Sequence, residues 1–258
     1  MDVSQDAFLG GALEILQPKG GYRAGLDAVL LAAAAPLERS SQPRVLDAGA
    51  GVGVVGLCVA RRVAGAHVTL VEIEPELAAL AHENVSRNGL DARVRVVQVD
   101  VANGGAAFNG PASSESGLVP GAFTHVLANP PYLESGRGTV PQDRLKAAAH
   151  QMPRGGLDAW IRFLATAAAA DGSATVIYPA EQLAALLAQM EGRFGALKVF
   201  PIFPRRHSAA TRVIVQGIKA SRAPLQVLPG LVLHDEGNAF RPELQAILRQ
   251  GAPLSLAP

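Results

Sequence analysis

The sequence predicts an α/β fold whose core is a doubly wound, mostly parallel sheet of seven strands. From Arg44 onward, short apolar runs alternate with stretches of helical periodicity. Four of the apolar runs end in a polar side chain, in the order Asp47, Glu72, Asp100 and Asn129. Because parallel strands all end at one edge of a sheet, these four side chains are expected to meet in one crevice.

Residues 1–40 are expected to form an amino-terminal extension that packs on a core domain spanning residues 41–258. Within the extension we predict a short hairpin around Lys19-Gly20-Gly21, where two glycines favour a turn. A helix is predicted to follow from about Asp27 to Ala35.

The elements of the core domain are predicted in alternation. The strands are 44–48, 67–72, 94–99, 124–128, 173–178, 196–203 and 211–219. The helices are 54–63, 75–87, 157–170 and 180–192. The last two strands, joined through Pro204 to Ala210, are expected to pair antiparallel. Two segments lack periodicity: residues 101–121 predict a surface loop, and residues 133–155 predict a long connection.

A glycine-rich turn follows the first core strand, in the stretch Asp47-Ala48-Gly49-Ala50-Gly51-Val52-Gly53. Glycines let the backbone turn tightly and approach a ligand, and the helix that follows offers unpaired N–H groups. The spacing Gly51-x-Gly53-x-x-Gly56 also fits the dinucleotide-binding fingerprint, and such a turn occurs without any ligand. The turn alone therefore does not identify the ligand.

Glu72 lies 19 positions beyond Gly53, a distance that suits a carboxylate accepting hydrogen bonds from ribose hydroxyls. A single acidic residue at a strand end is more often a helix cap or part of a solvated turn. Four polar strand ends in order weaken that alternative.

The most informative motif is Asn129-Pro130-Pro131-Tyr132, directly after the apolar run Thr124 to Ala128. Proline cannot continue a strand ladder, so the two prolines end the strand and keep the backbone extended. The Asn129 amide oxygen and the Pro130 carbonyl then form a pair of acceptors for one planar amino group, with the Tyr132 ring beside them. The alternative is a proline-rich strand end without chemistry.

These motifs together resemble those of class I methyltransferases that depend on S-adenosylmethionine. Residues 17–32 and 221–248 are similar to the corresponding parts of the bacterial tRNA-valine adenine-N6 methyltransferases. The resemblance implies a Rossmann-like fold, S-adenosylmethionine as cofactor, and N6 of an adenine in structured RNA, a tRNA, as substrate. It implies a catalytic role for Asn129, Pro130, Pro131 and Tyr132. It implies a cofactor-binding role for Asp47, Gly49, Gly51, Gly53, Glu72, Asp100, Val101 and Asn129.

Three alternatives remain open at this stage. The first is a protein glutamine methyltransferase of the release-factor type, although those enzymes usually carry a separate helical amino-terminal domain. The roughly 40 residues before the core leave little room for one. The second is a nicotinamide-dependent oxidoreductase, which would give no role to Asp100 or to Asn129-Pro130-Pro131-Tyr132. The third is a binding module without catalysis.

The amino-acid composition does not identify a ligand. The net charge of +1 gives no overall field that would indicate nucleic acid. Basic residues near the active-site edge are candidate phosphate contacts or parts of solvated turns: Arg137, Arg144, Lys146 and Arg154 after the motif, and Arg205-Arg206-His207 before the last strand.

The single Cys58 excludes an intrachain disulfide, and Met1 to Gly10 lacks the apolar core of a signal peptide. We therefore expect a cytoplasmic protein without a membrane partner. The six histidines have no ligand spacing, so no metal is expected.

Overall fold

Strands and helices alternate in the order that the sequence predicts. The computed structural model describes residues 2–20, 23–37, 41–109, 117–134, 151–152, 156–235 and 237–256. The helices are α1 (Leu26–Ala34), α2 (Val54–Arg62), α3 (Pro75–Arg87), α4 (Gly156–Ala167), α5 (Leu183–Met190) and α6 (Pro242–Gln250). The strands are β1 (Val3–Phe8), β2 (Leu13–Pro18), β3 (Arg44–Ala48), β4 (His67–Glu72), β5 (Val94–Gln98), β6 (Phe123–Ala128), β7 (Leu133–Glu134), β8 (Gln151–Met152), β9 (Ala168–Pro179), β10 (Phe194–Phe203), β11 (Arg212–Lys219), β12 (Gln226–Val227) and β13 (Leu231–Val232).

Among the described residues, nine strands form the central sheet, in the order β12-β10-β11-β9-β6-β3-β4-β5, with β13 also pairing with β10. The strands β9, β6, β3, β4 and β5 are parallel, and β11 is antiparallel to both of its neighbours. β4 and β5 lie on one side of β3 in the sheet, and the chain then crosses to form β6 on the other side of β3. The switch point of this doubly wound sheet therefore lies between β3 and β6, where such sheets bind ligands.

The seven predicted core strands are all present, and the predicted antiparallel pair is confirmed as β10 and β11. The predicted count of seven is nevertheless too low for the whole sheet, because β12 and β13 add to its edge. Each of these strands has two residues, which is too short to produce a recognisable alternation of apolar and polar side chains.

The predicted position of the amino-terminal hairpin is wrong. The hairpin consists of β1 and β2, and its turn lies at Leu9–Gly11, not around Lys19. Gly10 and Gly11 adopt positive φ angles of 65° and 94°, which glycine tolerates without strain. Lys19 lies just beyond β2, and Gly21 lies outside the described residues.

The prediction of a surface loop at residues 101–121 is wrong for its first part. Val101–Phe108 forms a 3-10 segment interrupted at Gly104, and it packs against α4. Phe108 is buried, with its ring 4.9 Å from the ring of Phe163 on α4. Residues 110–116 lie outside the described part of the chain, as does most of the predicted connection 133–155, of which β7 and β8 pair with each other.

The helix predicted at 180–192 begins as a short 3-10 turn, Ala180–Gln182, and continues as α5. The other predicted core helices agree with the structure to within a few residues at their ends, where helix boundaries are least well defined.

The amino-terminal residues share their apolar core with the sheet and with α2. Leu13 and Ile15 of β2, and seven residues of α1, are buried in the same cluster as Leu57 of α2. Asn84 of α3, with no exposed surface, exchanges two hydrogen bonds with the backbone of Leu16, at 2.7 and 3.0 Å. The same amide group donates to the Val52 carbonyl at 3.0 Å, so it joins β2 to the glycine turn. The division of the chain at residue 40 stays a prediction.

None of the helices in the described ranges is long and apolar enough to cross a membrane.

Candidate active site

A cleft of about 220 Å³ opens at the carboxyl edge of the sheet, over the switch point. Ten of the eleven residues that the sequence singles out line this cleft, and Gly53 does not. The ten are Asp47, Gly49, Gly51, Glu72, Asp100, Val101, Asn129, Pro130, Pro131 and Tyr132. The pairing of Ala48 with Ala128 explains why two distant motifs meet, because Gly49 and Asn129 leave the sheet side by side.

The three alternating glycines of the turn have different functions. Gly51 has a φ of +57°, and a Cβ at this position would meet no protein atom within 4 Å, so its backbone faces open space. At Gly49, a Cβ would lie 2.3 Å from Cη2 of Trp160. At Gly53, which directly precedes α2 and has a φ of +92°, a Cβ would lie 2.8 Å from Cδ1 of Leu70. Gly53 therefore allows α2 to pack on β4, and its contact with a cofactor stays a prediction.

Asp47 lies beneath the turn and is 1% exposed. Its Oδ2 accepts a hydrogen bond of 3.0 Å from the backbone N–H of Gly56 in α2. Burial raises the pKa of the Asp47 carboxyl to about 7, against the lowering effect of that hydrogen bond and with a further increase from the negative charge of Glu72. Asp47 therefore fixes the start of α2 and changes its charge near neutral pH.

Glu72 fixes the other side of the turn. Its Oε2 accepts a hydrogen bond of 2.7 Å from the Gly51 N–H, and its Oε1 accepts from Ile73 and Glu74 at 2.8 and 2.9 Å. Burial raises the pKa of the Glu72 carboxyl, and the three backbone hydrogen bonds oppose the increase. Each carboxylate oxygen has two lone pairs, so Oε2 retains the capacity to accept a further hydrogen bond from a ligand.

Asp100 both caps a helical segment and lines the cleft, the two possibilities that the sequence leaves open for it. Its Oδ1 accepts a hydrogen bond of 2.8 Å from the Ala102 N–H, so it caps the 3-10 segment. Asp100 also lines the cleft, together with the buried Val101.

The motif after β6 forms the wall opposite the glycine turn. β6 ends at Ala128, Pro130 is buried, and Asn129 and Tyr132 are half-buried. The Tyr132 hydroxyl donates to Asn129 Oδ1 at 2.5 Å and also lies 3.2 Å from Oδ2 of Asp27. The predicted acceptor of an amino group is thus already hydrogen-bonded by a neighbouring hydroxyl.

Four residues around Tyr132 were not predicted from the sequence. Asp27 in the first turn of α1 pairs with Arg212 at 2.8 Å, and the Arg212 guanidinium lies over the Tyr132 ring at 5.1 Å from its centroid. Burial lowers the pKa of Arg212, but the hydrogen bond and the charge of Asp27 outweigh this effect and raise it overall. Gln182 donates to the Tyr132 carbonyl at 2.8 Å, and the Tyr178 and Tyr132 rings form an edge-to-face pair with centroids 5.8 Å apart.

Trp160 of α4 is a further lining residue that was not predicted. As the only tryptophan of the chain it could have been suspected, but its position against Gly49 has no local signal.

Arg205 and Arg206 lie exposed in the turn between β10 and β11, at the same edge of the sheet as the cleft. Arg205 donates to the Gly237 carbonyl at 2.7 Å and to Asn238 Oδ1 at 3.0 Å. The other candidate phosphate contacts, Arg137, Arg144, Lys146 and Arg154, lie outside the described residues. Within the part of the chain that the structure describes, no three His, Cys, Asp or Glu side chains form a group that could hold a metal ion.

The sheet order and the position of this cleft define the architecture of class I methyltransferases. The model of the methyltransferase small domain family matches residues 24–162, more than half of the chain. The chain therefore belongs to the methyltransferase small domain family.

Individual relatives agree on methyl transfer but differ in the acceptor. A tRNA1(Val) (adenine(37)-N6)-methyltransferase from Shewanella sp. strain W3-18-1 is 30% identical over 165 residues, 63% of each chain. A release factor glutamine methyltransferase from Chlorobaculum tepidum is 27% identical over 114 residues, which are 44% of this chain and 36% of the relative. The chain thus spans less than two thirds of the length of these curated relatives.

A solved structure extends the similarity over most of the chain. The crystal structure of a protein from Agrobacterium tumefaciens, described as a predicted O-methyltransferase, superposes with a TM-score of 0.72. It is 30% identical, and the superposition covers 88% of this chain and 98% of that one.

Proposed function

We propose that the protein is an S-adenosylmethionine-dependent methyltransferase that transfers a methyl group to N6 of an adenine in tRNA. The observation that carries the proposal is that Asn129 and Pro130 line the same cleft as the glycine turn and Glu72. This lining supports the proposal that their two oxygen acceptors face the cavity that would hold the cofactor.

The residues of the cleft fit S-adenosylmethionine. Gly51 presents backbone to open space, where a side chain would occupy the cavity. We assign Gly49 to Gly53 to the amino-acid portion of the cofactor, with Gly53 acting through the position of the turn. Glu72 Oε2 is assigned to the ribose hydroxyls, and Asp100 to the amino group of the cofactor adenine.

When bound, S-adenosylmethionine supplies a methyl group on a positively charged sulfur, which is already activated for transfer. The contribution of the protein is then binding, alignment and electrostatics. An aromatic amino nitrogen is a poor nucleophile because its lone pair is delocalised into the ring. Hydrogen bonds from this amino group to Asn129 Oδ1 and to the Pro130 carbonyl favour a pyramidal nitrogen with its lone pair directed at the methyl carbon.

The acceptor pair favours nitrogen over oxygen as the methylated atom. An amino group has two N–H donors for the two acceptors, whereas a hydroxyl has one. A glutamine side-chain amide also has two N–H donors, so this argument does not separate adenine from glutamine.

Adenine is favoured by the aromatic and basic residues at the cleft edge and by the named relative. The Tyr132 ring lines the cleft, and a base that has left its own stack could lie against it. Exposed Arg205 and Arg206 lie at the same edge and suit phosphate groups. A tRNA loop is a suitable target because its bases are already partly unstacked.

The testing experiment offers S-adenosylmethionine with a labelled methyl group to two acceptors. One is total tRNA from a strain that lacks the gene, and the other is purified release factor. We expect label on the tRNA and its recovery as N6-methyladenosine after digestion to nucleosides. Label on a glutamine of the release factor, with none on tRNA, would replace this proposal with glutamine methylation.

A further inference from the structure

The amino-terminal hairpin contributes a wall of the cleft. Gln17 and Pro18, at the end of β2, line the cleft together with Ala24, and we call these three residues the hairpin wall. The glycine turn lines the same cleft from Gly49 to Val52. Among the described residues, β1 and β2 pair with each other and with no strand of the central sheet. The position of the hairpin wall relative to the glycine turn therefore depends on side-chain contacts.

Two asparagines, Asn84 in α3 and Asn88 directly after it, pair with β2 as a neighbouring strand would. Asn84 Oδ1 accepts from the Leu16 N–H at 2.7 Å, and its Nδ2 donates to the Leu16 carbonyl at 3.0 Å. Asn88 Oδ1 accepts from the Glu14 N–H at 3.0 Å, and its Nδ2 donates to the Glu14 carbonyl at 2.8 Å. Leu16 and Glu14 are two positions apart, so their peptide groups point to the same side of the strand.

Asn84 differs from Asn88 in the partner of its second N–H group. Nδ2 of Asn84 also donates to the Val52 carbonyl in the glycine turn at 3.0 Å, whereas Nδ2 of Asn88 donates to the Asn84 carbonyl at 2.7 Å. Asn84 has no exposed surface, and its amide group uses both of its hydrogens. A single buried side chain thus holds the hairpin and the glycine turn at a fixed separation.

The contacts of Asn84 extend to the residues of the hairpin wall. Gln17 follows Leu16 directly, and its side-chain amide pairs with Ala24 in the same manner. Its Oε1 accepts from the Ala24 N–H at 2.8 Å, and its Nε2 donates to the Ala24 carbonyl at 3.2 Å. A displacement of β2 would therefore move both Gln17 and Ala24 relative to the glycine turn.

We propose that Asn84 is a positioning residue for the cofactor, because it fixes the hairpin wall relative to the glycine turn. Asn84 does not line the cleft, so it acts through the residues that it holds. The proposal rests on the proposed function, in which this cleft binds S-adenosylmethionine. A ligand that contacts two walls binds more tightly when the walls are already ordered relative to each other, because binding then does not have to order them.

N84A removes the link between the hairpin and the turn. The affinity for S-adenosylhomocysteine is expected to fall roughly tenfold, the effect of losing one buried hydrogen bond, with the binding stoichiometry unchanged. Calorimetry measures both quantities. Partial unfolding would have a different effect, because it would lower the stoichiometry and leave the affinity of the folded fraction unchanged.

Asn88 provides a matched control. N88A removes an equivalent pair of hydrogen bonds to β2 from a position one helical turn away, and it keeps the hydrogen bond from Asn84 to Val52. The affinity of N88A for S-adenosylhomocysteine is expected to stay within about twofold of wild type. If N88A weakened binding as much as N84A does, the general attachment of the hairpin would determine the affinity, and the role of Asn84 would be refuted.

Enzyme kinetics separate cofactor positioning from a role in methyl transfer. N84A is expected to raise KM for S-adenosylmethionine roughly tenfold and to leave kcat within about twofold of wild type, because the link acts on cofactor binding. The assay uses whichever acceptor takes the methyl group, tRNA or release factor. A reduced kcat at saturating cofactor with an unchanged KM would contradict the proposal.

A measurement on the wild-type protein covers the case in which N84A does not fold. Exchange of side-chain amide hydrogens is followed by NMR at Asn84 and at Gln216, with and without S-adenosylhomocysteine. Gln216 is also buried, and its Nε2 donates to the Ala34 carbonyl at 3.1 Å and to Thr175 Oγ1 at 3.2 Å. Neither Asn84 nor Gln216 lines the cleft, so the ligand does not shield them directly.

Exchange at Asn84 requires the hairpin to separate from the glycine turn, which a ligand bound to both opposes. S-Adenosylhomocysteine is therefore expected to slow exchange at Asn84 at least fivefold more than at Gln216, which reports the stabilisation of the whole protein. Equal slowing at the two side chains would overturn the proposal.

The outcomes also distinguish this inference from the proposed function. If S-adenosylhomocysteine did not bind the wild type, the proposed cofactor would be wrong, and the role of Asn84 would be wrong with it. If the wild type and N84A bound it with equal affinity, only the role of Asn84 would be refuted.

Discussion

The buried carboxyl of Asp47 makes the stability of the protein depend on pH in a way that a single substitution should remove. Burial raises its pKa to about 7 in the folded protein, compared with 3.8 for an unperturbed aspartate. The folded state therefore binds this proton more tightly than the unfolded chain does. Because the folded pKa is raised, the stability contributed by Asp47 decreases as the pH rises from about 4 to 7, and it is lowest above pH 7.

The magnitude follows from the two pKa values. Each unit of difference corresponds to about 1.4 kcal/mol, so charged Asp47 lowers the free energy of unfolding by about 4 kcal/mol above pH 7. At pH 5 the same calculation gives about 2 kcal/mol, because the folded carboxyl is then protonated and the unfolded one is charged.

The D47N variant replaces the titrating carboxyl with a neutral amide of the same shape. Its Oδ1 can accept the hydrogen bond from the Gly56 N–H, as Asp47 does at 3.0 Å. We expect D47N to be more stable than wild type, with a difference that grows by about 2 to 3 kcal/mol between pH 5 and pH 8.

Urea unfolding of both proteins at pH 5, 6, 7 and 8, without cofactor, measures this difference. The slopes against urea must agree for the comparison to be valid. A difference in unfolding free energy that stayed constant from pH 5 to pH 8 would refute the assignment of a titrating, desolvated carboxyl to Asp47.

Three further predictions concern ligands. G51A and G89A both place alanine at a positive φ with no protein atom within 4 Å, so each variant should lose roughly 1 kcal/mol of stability. Only G51A should also weaken the binding of S-adenosylhomocysteine, which calorimetry measures. E72A should lower the affinity for S-adenosylhomocysteine at least tenfold through the loss of charged hydrogen bonds, and the wild-type protein should give no heat of binding with NAD. Replacing Arg205 and Arg206 together should weaken tRNA binding without changing cofactor affinity. The slope of log affinity against log salt concentration should become shallower by about two, which corresponds to about two lost phosphate contacts. If the salt dependence of tRNA binding did not change, Arg205 and Arg206 would not contact phosphate groups of the RNA.

The core strands could be predicted from the sequence because each is a short apolar run bounded by turn residues. The strands β3, β4 and β6 are buried by helices on both faces, which gives continuous apolar runs that are easy to delimit. Their shared direction then brings Asp47, Glu72 and Asn129 to one edge. Most of the candidate site thus follows from the fold class and the polar residue at each strand end.

The errors arise where local signals are ambiguous. Two glycine pairs, Gly10-Gly11 and Gly20-Gly21, compete for the hairpin turn, and the sequence alone does not indicate which pair is used. The segment Val101–Phe108 is rich in Gly and Ala, and its packing on α4 depends on a partner about 50 residues away that has no local signal.

The surroundings of Tyr132 could not be predicted for the same reason. Asp27 and Arg212 are 185 residues apart in the chain and meet only because α1 and β11 lie at the same edge of the sheet. Gly53 illustrates the converse case, in which the space around a motif residue, where a Cβ would lie 2.8 Å from Leu70, depends on a distant strand and has no local signal.

The measurement that tests the central claim most directly compares wild type and N129A on tRNA from the strain that lacks the gene. The central claim is that the Asn129 oxygen aligns an adenine amino group for methylation. We predict N6-methyladenosine with the wild type and none above background with N129A, while S-adenosylhomocysteine binds N129A within a few fold of wild type, because the acceptor acts on the transition state. Near-normal formation of N6-methyladenosine by N129A would contradict the account.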